Sequence, residues 1–426
     1  MIQETKGILY TTYCKEEMSV SQTFSLGVTP FLNKVYISIK NYPFYRTISR
    51  RKTNANARPI AVFLQKCYKF YICMLAILFV GCMMNGVACG ESHNAEEKIM
   101  DSENRGYIIA TEYMPADGKT DISDTLQQLI YENPNSTIYF PDGVYILAKP
   151  VLMPADPKYS VDLQLSNFAC LKASDDWDCG EAMLRFGAVY PANDINTPGS
   201  NYGINGGIID GSGKARGISI DGGRETYIRN VNIKNVVVGI HIKSGANNGS
   251  SDADISSINI VGNGSTESIG ILVEGFDNTF TNIRIANVFT GVDVRSGGNM
   301  FRNIHPLFMI SADTYASYDM SVGFRVQHPM NWFDYCYSDH FSVGFETTGG
   351  GIYKNCFCWW YSDKEENHIA VRSLVPFFGS IDTMMIGGQQ HPGHPNRFME
   401  NENISDIGVV ENIVIISPDG IPSPVK

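Results

Sequence analysis

Residues 331–340 read Asn-Trp-Phe-Asp-Tyr-Cys-Tyr-Ser-Asp-His, and residues 358–368 read Cys-Trp-Trp-Tyr-Ser-Asp-Lys-Glu-Glu-Asn-His. Carboxylates and imidazoles move protons between reacting groups, and flat indole and phenol rings stack on apolar faces of a ligand. Asp339, His340 and Asp334 are therefore candidate acid–base residues, with Lys364 a cation placed to stabilise developing negative charge. Trp359, Trp360, Tyr337 and Trp332 are candidate substrate contacts, with Arg302 and His305 beside them. A non-chemical reading uses the same residues: Trp and Tyr would simply cover the end of the fold.

What must position these side chains is a repeat. A Gly followed by alternating apolar residues recurs at Gly217, Gly239, Gly270, Gly291, Gly323 and Gly344, with spacings of 22, 31, 21, 32 and 21 residues. A second short strand precedes Gly239, Gly291 and Gly344 by a constant 13 residues, starting at Thr226, Asn278 and Asn331. Units of about 21 residues with short strands predict one turn each of a parallel β-helix, in which every turn needs a stacked neighbour to bury its apolar face. Period-2 alternation turns Val231, Ile283, Ile304, Cys336 and Cys356 inward, so these cysteines read as small core hydrophobes. Asn230, Asn282, Asn303 and Asn355 occupy the preceding position and read as an asparagine ladder at a bend.

The residue two after each repeat Gly gives an outward row: Ser219, His241, Leu272, Asp293, Arg325 and Glu346. Asp293, Arg325 and Glu346 join the catalytic candidates on this basis. The alternative is a solvated outer sheet with salt bridges between rungs. The row four after the Gly (Asp221, Lys243, Glu274, Arg295, Gln327, Thr348) mixes charges in the same way.

Residues 117–130 begin Asp-Gly-Lys-Thr-Asp and continue as an amphipathic helix that Ser123 or Asp124 is placed to cap. Residues 137–147 follow as strand, Pro-Asp-Gly turn and strand. This pair resembles the opening of the pectate lyase superfamily, the rhamnogalacturonase/epimerase-like proteins, where such a turn leads into a capping helix and a Phe-Pro-x-Gly-x-Tyr hairpin starts the first coil. The resemblance implies an all-β, right-handed single-stranded parallel β-helix with a short N-terminal capping helix, and a carbohydrate substrate. It leaves the activity open, since that superfamily holds lyases, hydrolases, epimerases and phage tailspikes. Residues 207–213, Gly-Ile-Ile-Asp-Gly-Ser-Gly, look like a stretch of polygalacturonase-type hydrolases. The other motifs of that family are missing, so Asp210 reads as a turn former. The superfamily's calcium-dependent lyases bind Ca²⁺ through clustered Asp. Asp252 and Asp254 are the nearest donors here, and no other cofactor is expected. No Cys/His group has zinc spacing, while Cys170 and Cys179 are placed to pair in an oxidising compartment.

The chain of 426 residues has 40 Gly and 43% hydrophobic residues, enough apolar surface to exclude wholesale disorder. Residues 1–69 hold 11 Lys+Arg against 3 Asp+Glu, a surplus of 8, which leaves −19 for the rest of a chain with net charge −11. Such an acidic body argues against nucleic acid as a partner. Phe70–Gly90 carries no charge and follows Lys66 and Lys69, as a secretory signal does, and Val80-Gly81-Cys82 resembles a lipobox in which Cys82 is acylated. A single transmembrane helix over the same stretch is the alternative.

The expected organisation is a basic extension at 1–69, translated only if initiation is early. A signal at 70–90 and a β-helix domain at 91–426 follow, with a cap at 107–150 and coils from about 160 to 417. The expected protein is an exported bacterial one: an envelope lipoprotein of the outer membrane or periplasm, or a secreted protein. It would act on a polysaccharide as a lyase or a glycoside hydrolase; the alternative is a non-catalytic glycan-binding or adhesive surface protein.

Overall fold

The computed structural model describes residues 106–154, 160–187, 202–244, 250–309, 315–362, 364–400, 404–416 and 422–424. The expectations for the basic extension, the apolar segment at 70–90 and Cys82 lie outside these residues. Among the described residues no helix is long and apolar enough to cross a membrane.

Each repeat Gly opens one strand of a ten-stranded, wholly parallel sheet running from Val151–Met153 to Arg397–Met399. Ile218, Ile240, Ile271, Val292, Phe324, Phe345 and Val371 lie in one register row of that sheet, and all are buried. The glycines are required by stacking. A Cβ at Gly270 would stand 2.5 Å from the carbonyl oxygen of Gly291, and one at Gly291 would stand 2.4 Å from that of Gly323.

The second sheet supplies the other two sides of each coil. Its longer strands, such as Thr279–Ala286, Met300–Leu307 and Ile352–Trp360, turn a corner midway. The corner residue is left-handed at Asn230, Ser257, Asn282, Asn303, Tyr335, Asn355, Thr383 and Asn412, with φ between 53° and 63°. Asn tolerates this conformation better than other non-glycine residues, which explains the ladder. Asn303 donates to Asn282 at 2.9 Å, and Asn230 donates to Asn205 at 2.8 Å. The expected slot of Val231, Ile283, Ile304, Cys336 and Cys356 is buried throughout. Burial raises the thiols of Cys336 and Cys356 well above the usual range, as it must for core cysteines.

Two internal ladders escaped the sequence reading. Phe280, Phe301, Phe333 and Tyr353 stack ring on ring with centroids 4.7, 4.9 and 5.1 Å apart. Asn278, Asn299 and Asn331 are buried and linked: Asn278 donates Nδ2–H to Asn299 Oδ1 at 3.0 Å, and Asn299 donates to Asn331 Oδ1 at 3.3 Å.

At the N-terminal end, helix Ser123–Glu132 buries Leu126, Leu129 and Ile130. Neither expected cap forms. Ser123 is already helical, and its hydroxyl instead bonds Asp121 at 2.5 Å and accepts from the Ala148 amide at 2.9 Å. The strands Ser136–Phe140 and Gly143–Leu147 are not a hairpin either. Each pairs in parallel with the next coil, at Val161–Leu165 and Ala169–Ala173, so the Pro-Asp-Gly turn is a coil corner. Cys170 and Cys179, which an oxidising compartment could have paired, are free thiols. The described residues form the expected all-β solenoid, a right-handed parallel β-helix with a short N-terminal helix.

Candidate functional site

The three sides of the coil sort the candidate residues into three groups. Asp293, Arg325 and Glu346 lie on the outer side of the ten-stranded sheet, in register with Ser219, His241 and Arg372. There they form a ladder of ion pairs. Arg295 meets Asp293 at 2.9 Å and Glu274 at 3.0 Å, Glu274 meets His241 at 2.9 Å, and Arg325 meets Glu346 at 2.9 Å. Arg372 extends the run to Glu400 at 2.6 Å. Asp293 is only 1% exposed and also accepts from Gln327, so it is not a carboxylate open to substrate. The outward row is there, and its structural reading is the one the geometry favours.

Arg302, Asp334 and Lys354 share one row on the first half of the bent strands, with Trp332 two residues before Asp334. Arg302 approaches Asp334 at 3.6 Å and Lys354 approaches Asp382 at 4.0 Å. Trp332 is 42% exposed, and Tyr335, at the corner, is 60% exposed.

Past that corner lies the third group. His305 stacks on Tyr337 with centroids 4.1 Å apart, and its Nε2 lies 3.4 Å from Asp339 Oδ2. Arg284, one rung earlier, donates to His305 Nδ1 at 2.8 Å. A guanidinium only donates, so Nδ1 is the acceptor and the neutral ring carries its proton on Nε2, facing Asp339. Asp339 Oδ1 is buried without a hydrogen-bond partner. Burial and the Asp339 carboxylate together raise the Tyr337 hydroxyl well above its usual range. Trp359 is the register partner of Asp339 on the next rung. One rung further stands Gly387, where a Cβ would come within 2.9 Å of the Trp359 ring.

Next to Asp339, His340 takes a left-handed conformation (φ 60°), as Asn235 and Asn287 do at their corners. Its ring stacks on Tyr361 with centroids 3.7 Å apart, not on Trp360. Burial pushes its pKa down to about 4, with the Glu366 carboxylate opposing the shift. Burial likewise lifts the Tyr361 hydroxyl to about 12, helped by Asp339 and Glu366. Glu366 is itself buried, and its Oε2 faces His368 Nε2 at 3.5 Å. Lys364 is exposed near the same His340.

One expected contact is corrected. Trp360 is 1% exposed, stacks on His368 at 5.0 Å and donates its indole N–H to the Phe341 carbonyl at 2.6 Å. It is core, because the alternation that turns Trp359 outward turns its neighbour inward. Arg284, Tyr361, Glu366 and His368 were missed. Arg284 was legible as an outward position two after Asn282, and the others lay inside the aromatic segment already singled out.

Asp252 and Asp254, the nearest candidate calcium donors, are each paired with an arginine, Arg224 with the first and Arg229 with the second. Among the described residues no group of three or more His, Cys, Asp or Glu is arranged to hold a metal.

No protein-family model and no curated protein matches the chain. Solved structures do. The chain is similar to ORF18 of Geobacillus virus E2 at 15% identity and TM-score 0.52, covering 73% of this chain and 61% of that one. It therefore spans about three fifths of that protein's length. It is also similar to an N-terminal fragment of bacteriophage Phi29 gene product 12 (15%, TM-score 0.51, 77% and 69%). A tailspike protein of E. coli bacteriophage HK620 follows (10%, TM-score 0.50, 72% and 65%). At these identities the likeness is one of fold.

Proposed function

We propose that the protein cleaves a polysaccharide on the face that carries Asp339. The observation behind this reading is the state of that carboxylate. Its side chain is 16% exposed, one oxygen faces the His305 N–H at 3.4 Å, and the carboxylate sits beside the half-buried rings of Tyr337 and Trp359, the first of which also bonds it. A partly exposed carboxylate oriented by an imidazole among aromatic rings is suited to take or give a proton. Arg284 holds His305 in the tautomer that orients Asp339, so His305 is a positioning residue and Asp339 the proton-transfer group.

Two chemistries use these atoms. In β-elimination Asp339 removes the proton α to a uronate carboxyl group, and Arg284 or Lys364 supplies the positive charge that stabilises the enolate-like intermediate. In hydrolysis Asp339 works with a second carboxylate, and Glu366 is the one that perturbs the same His340 and Tyr361. A panel of glycans followed by absorbance near 235 nm (roughly the band of the unsaturated product) and by new reducing ends separates them. Both signals rising means elimination. Reducing ends alone mean hydrolysis. Neither signal on any glycan overturns cleavage.

A second reading, a glycan-binding surface protein without turnover, is favoured by the exposure of Trp332 and Tyr335 on the side away from Asp339. Retention on glycans with neither signal would establish it. Either reading goes with export through the apolar segment at 70–90 and lipid attachment at Cys82. The mass of the mature N-terminus in the natural host tests both.

A further inference from the structure

We infer that the first coils carry a second glycan site, a non-catalytic cleft for a neutral sugar built on Tyr107 and Tyr139. It lies on the Asp334 side of the coil, around the corner from Asp339. Register runs unbroken from Tyr139 through Gln164, Asn205, Arg229, Ser256, Thr281 and Arg302 to Asp334. At about 4.8 Å per rung, Gln164 and Asp334 stand about 29 Å apart, so the cleft is a place of its own.

An open cavity of about 380 Å³ is lined by Gly106, Tyr107, Thr137, Tyr139 and Gln164. That is the size of a small-ligand site. Tyr107 is 46% exposed and meets the Tyr139 ring edge to face, with centroids 6.0 Å apart. The two rings therefore present surfaces at a steep angle, one as floor and one as wall. Gly106 adds no side chain at the rim.

The polar part of the lining is fixed in advance. Gln164 donates to Asp162 Oδ2 at 2.7 Å and accepts from Asn205 at 2.9 Å, and Asn205 in turn accepts from Asn230 at 2.8 Å. Tyr227 donates its hydroxyl to the other oxygen of Asp162, and Arg229 lies 4.9 Å over the Tyr227 ring. This chain of bonds pins the Gln164 amide, so binding need not order it.

A sugar ring suits both halves of the lining: its C–H face covers a tyrosine ring, and its hydroxyls reach an amide and the Thr137 hydroxyl. None of the five lining residues is charged. The Asp162 carboxylate that Gln164 bonds lies behind this lining, where it disfavours a sugar acid and favours a neutral unit. The inference rests on the reading of the protein as glycan-active, and it can fail separately from it.

The test is electrophoresis of the full chain through gels containing neutral glycans (glucans, mannan, xylan, galactan) or polyuronates. Melting curves confirm that each variant folds. A neutral glycan should retard the wild-type protein. Tyr139→Ala should weaken that retardation about tenfold, Tyr107→Ala at its exposed position should weaken it as well, and Tyr139→Phe should retain it. Asp339→Asn should be retarded like wild type. Retardation by polyuronates alone, by no glycan at all, or undiminished in both alanine variants overturns the inference. Cleavage without any effect of the tyrosines removes this site and leaves the proposed activity standing. Tyrosine-dependent binding with no cleavage of any glycan does the reverse.

Discussion

Two outer faces of one solenoid, built on the same repeat, have opposite electrostatic characters. On the ten-stranded sheet the charges are neutralised along the axis: Arg185 meets Asp221, Arg295 meets Asp293 and Glu274, and Arg372 meets Glu346 and Glu400. On the adjoining side, Asp339 is held by His305 and Tyr337 with no arginine or lysine ion pair among the described residues, and half-buried rings surround it. A ladder of paired ions has no group left to act on a ligand. A single carboxylate among aromatics does. On the proposed reading, the solenoid uses one face for structure and another for chemistry, although both present acids and bases in the sequence.

The largest expected effect tests that division directly. Asp339→Asn keeps shape and hydrogen-bonding atoms but removes the proton acceptor, so turnover should fall about 10²- to 10⁴-fold while glycan retention stays. Asp293→Asn on the paired face should leave turnover within about twofold, since its carboxylate is already committed to Arg295 and Gln327. Equal losses in the two variants would erase the distinction between the faces.

Acid should weaken both faces, with His340 the largest single contributor. Burial holds folded His340 near pKa 4, against 6.5 when unfolded. As pH falls from 6.5 towards 4, the unfolded chain binds a proton that the folded one refuses. Stability is intact above that window, declines through it and levels off below it, a loss of about 3 kcal/mol from this residue. Burial lowers His241 and His368 too, and each adds a loss of the same sign. Glu274, held below its usual range chiefly by His241 and Arg295, also loses stability as it is protonated. His340→Asn isolates one contribution, because Asn is at home in the left-handed corner, as Asn235 and Asn287 show. Denaturant unfolding at pH 7 and pH 4.5 should show a shallower decline in this variant. An unchanged decline would mean His340 is not the group titrating.

A smaller effect belongs to the paired face alone. Glu346 bridges Arg325 and Arg372. Glu346→Ala leaves two partly buried guanidinium groups short of an acceptor, which should cost about 1–3 kcal/mol of stability with turnover preserved. Thermal melts and activity on the same preparation check both halves of that statement.

Much of this architecture is legible in the sequence because stacking makes each coil repeat its constraints. Gly270 and Gly291 stand where a carbonyl of the next rung leaves no room for a Cβ, and Asn282 and Asn303 stand at a left-handed corner. Both are local demands that one residue type meets best. The internal aromatic ladder was not legible, since Phe280, Phe301 and Phe333 differ in type from the aliphatic residues at other rungs while doing the same work. The site was half legible. Alternation assigns inside and outside, and it should have turned Trp360 inward as soon as Trp359 faced out. It does not say which of three outer sides a residue occupies. Asp334 and Asp339 are five positions apart, yet the corner at Tyr335 sends them to different sides. Glu366 and His368 come from a connection with no repeat to place them.

That corner also offers the mildest perturbation. Along the row of Asn230, Asn282, Asn303, Asn355 and Asn412, Tyr335 alone is an aromatic residue held at positive φ, 55°. A bulky side chain in this conformation is disfavoured, and local violations of a repeat's own rule tend to mark function. If Tyr335 is kept for its exposed ring, Tyr335→Asn should restore the ladder and stabilise the fold by about 0.5–1 kcal/mol. The same change should weaken retention on the glycan that the protein binds, because the ring beside Trp332 is gone. Asn303→Ala, a loss of the favoured residue one rung earlier, should move stability the other way and leave retention alone. A Tyr335→Asn variant that gains stability and binds as well as wild type would make the exposed corner structural, and would confine the chemistry to the Asp339 side.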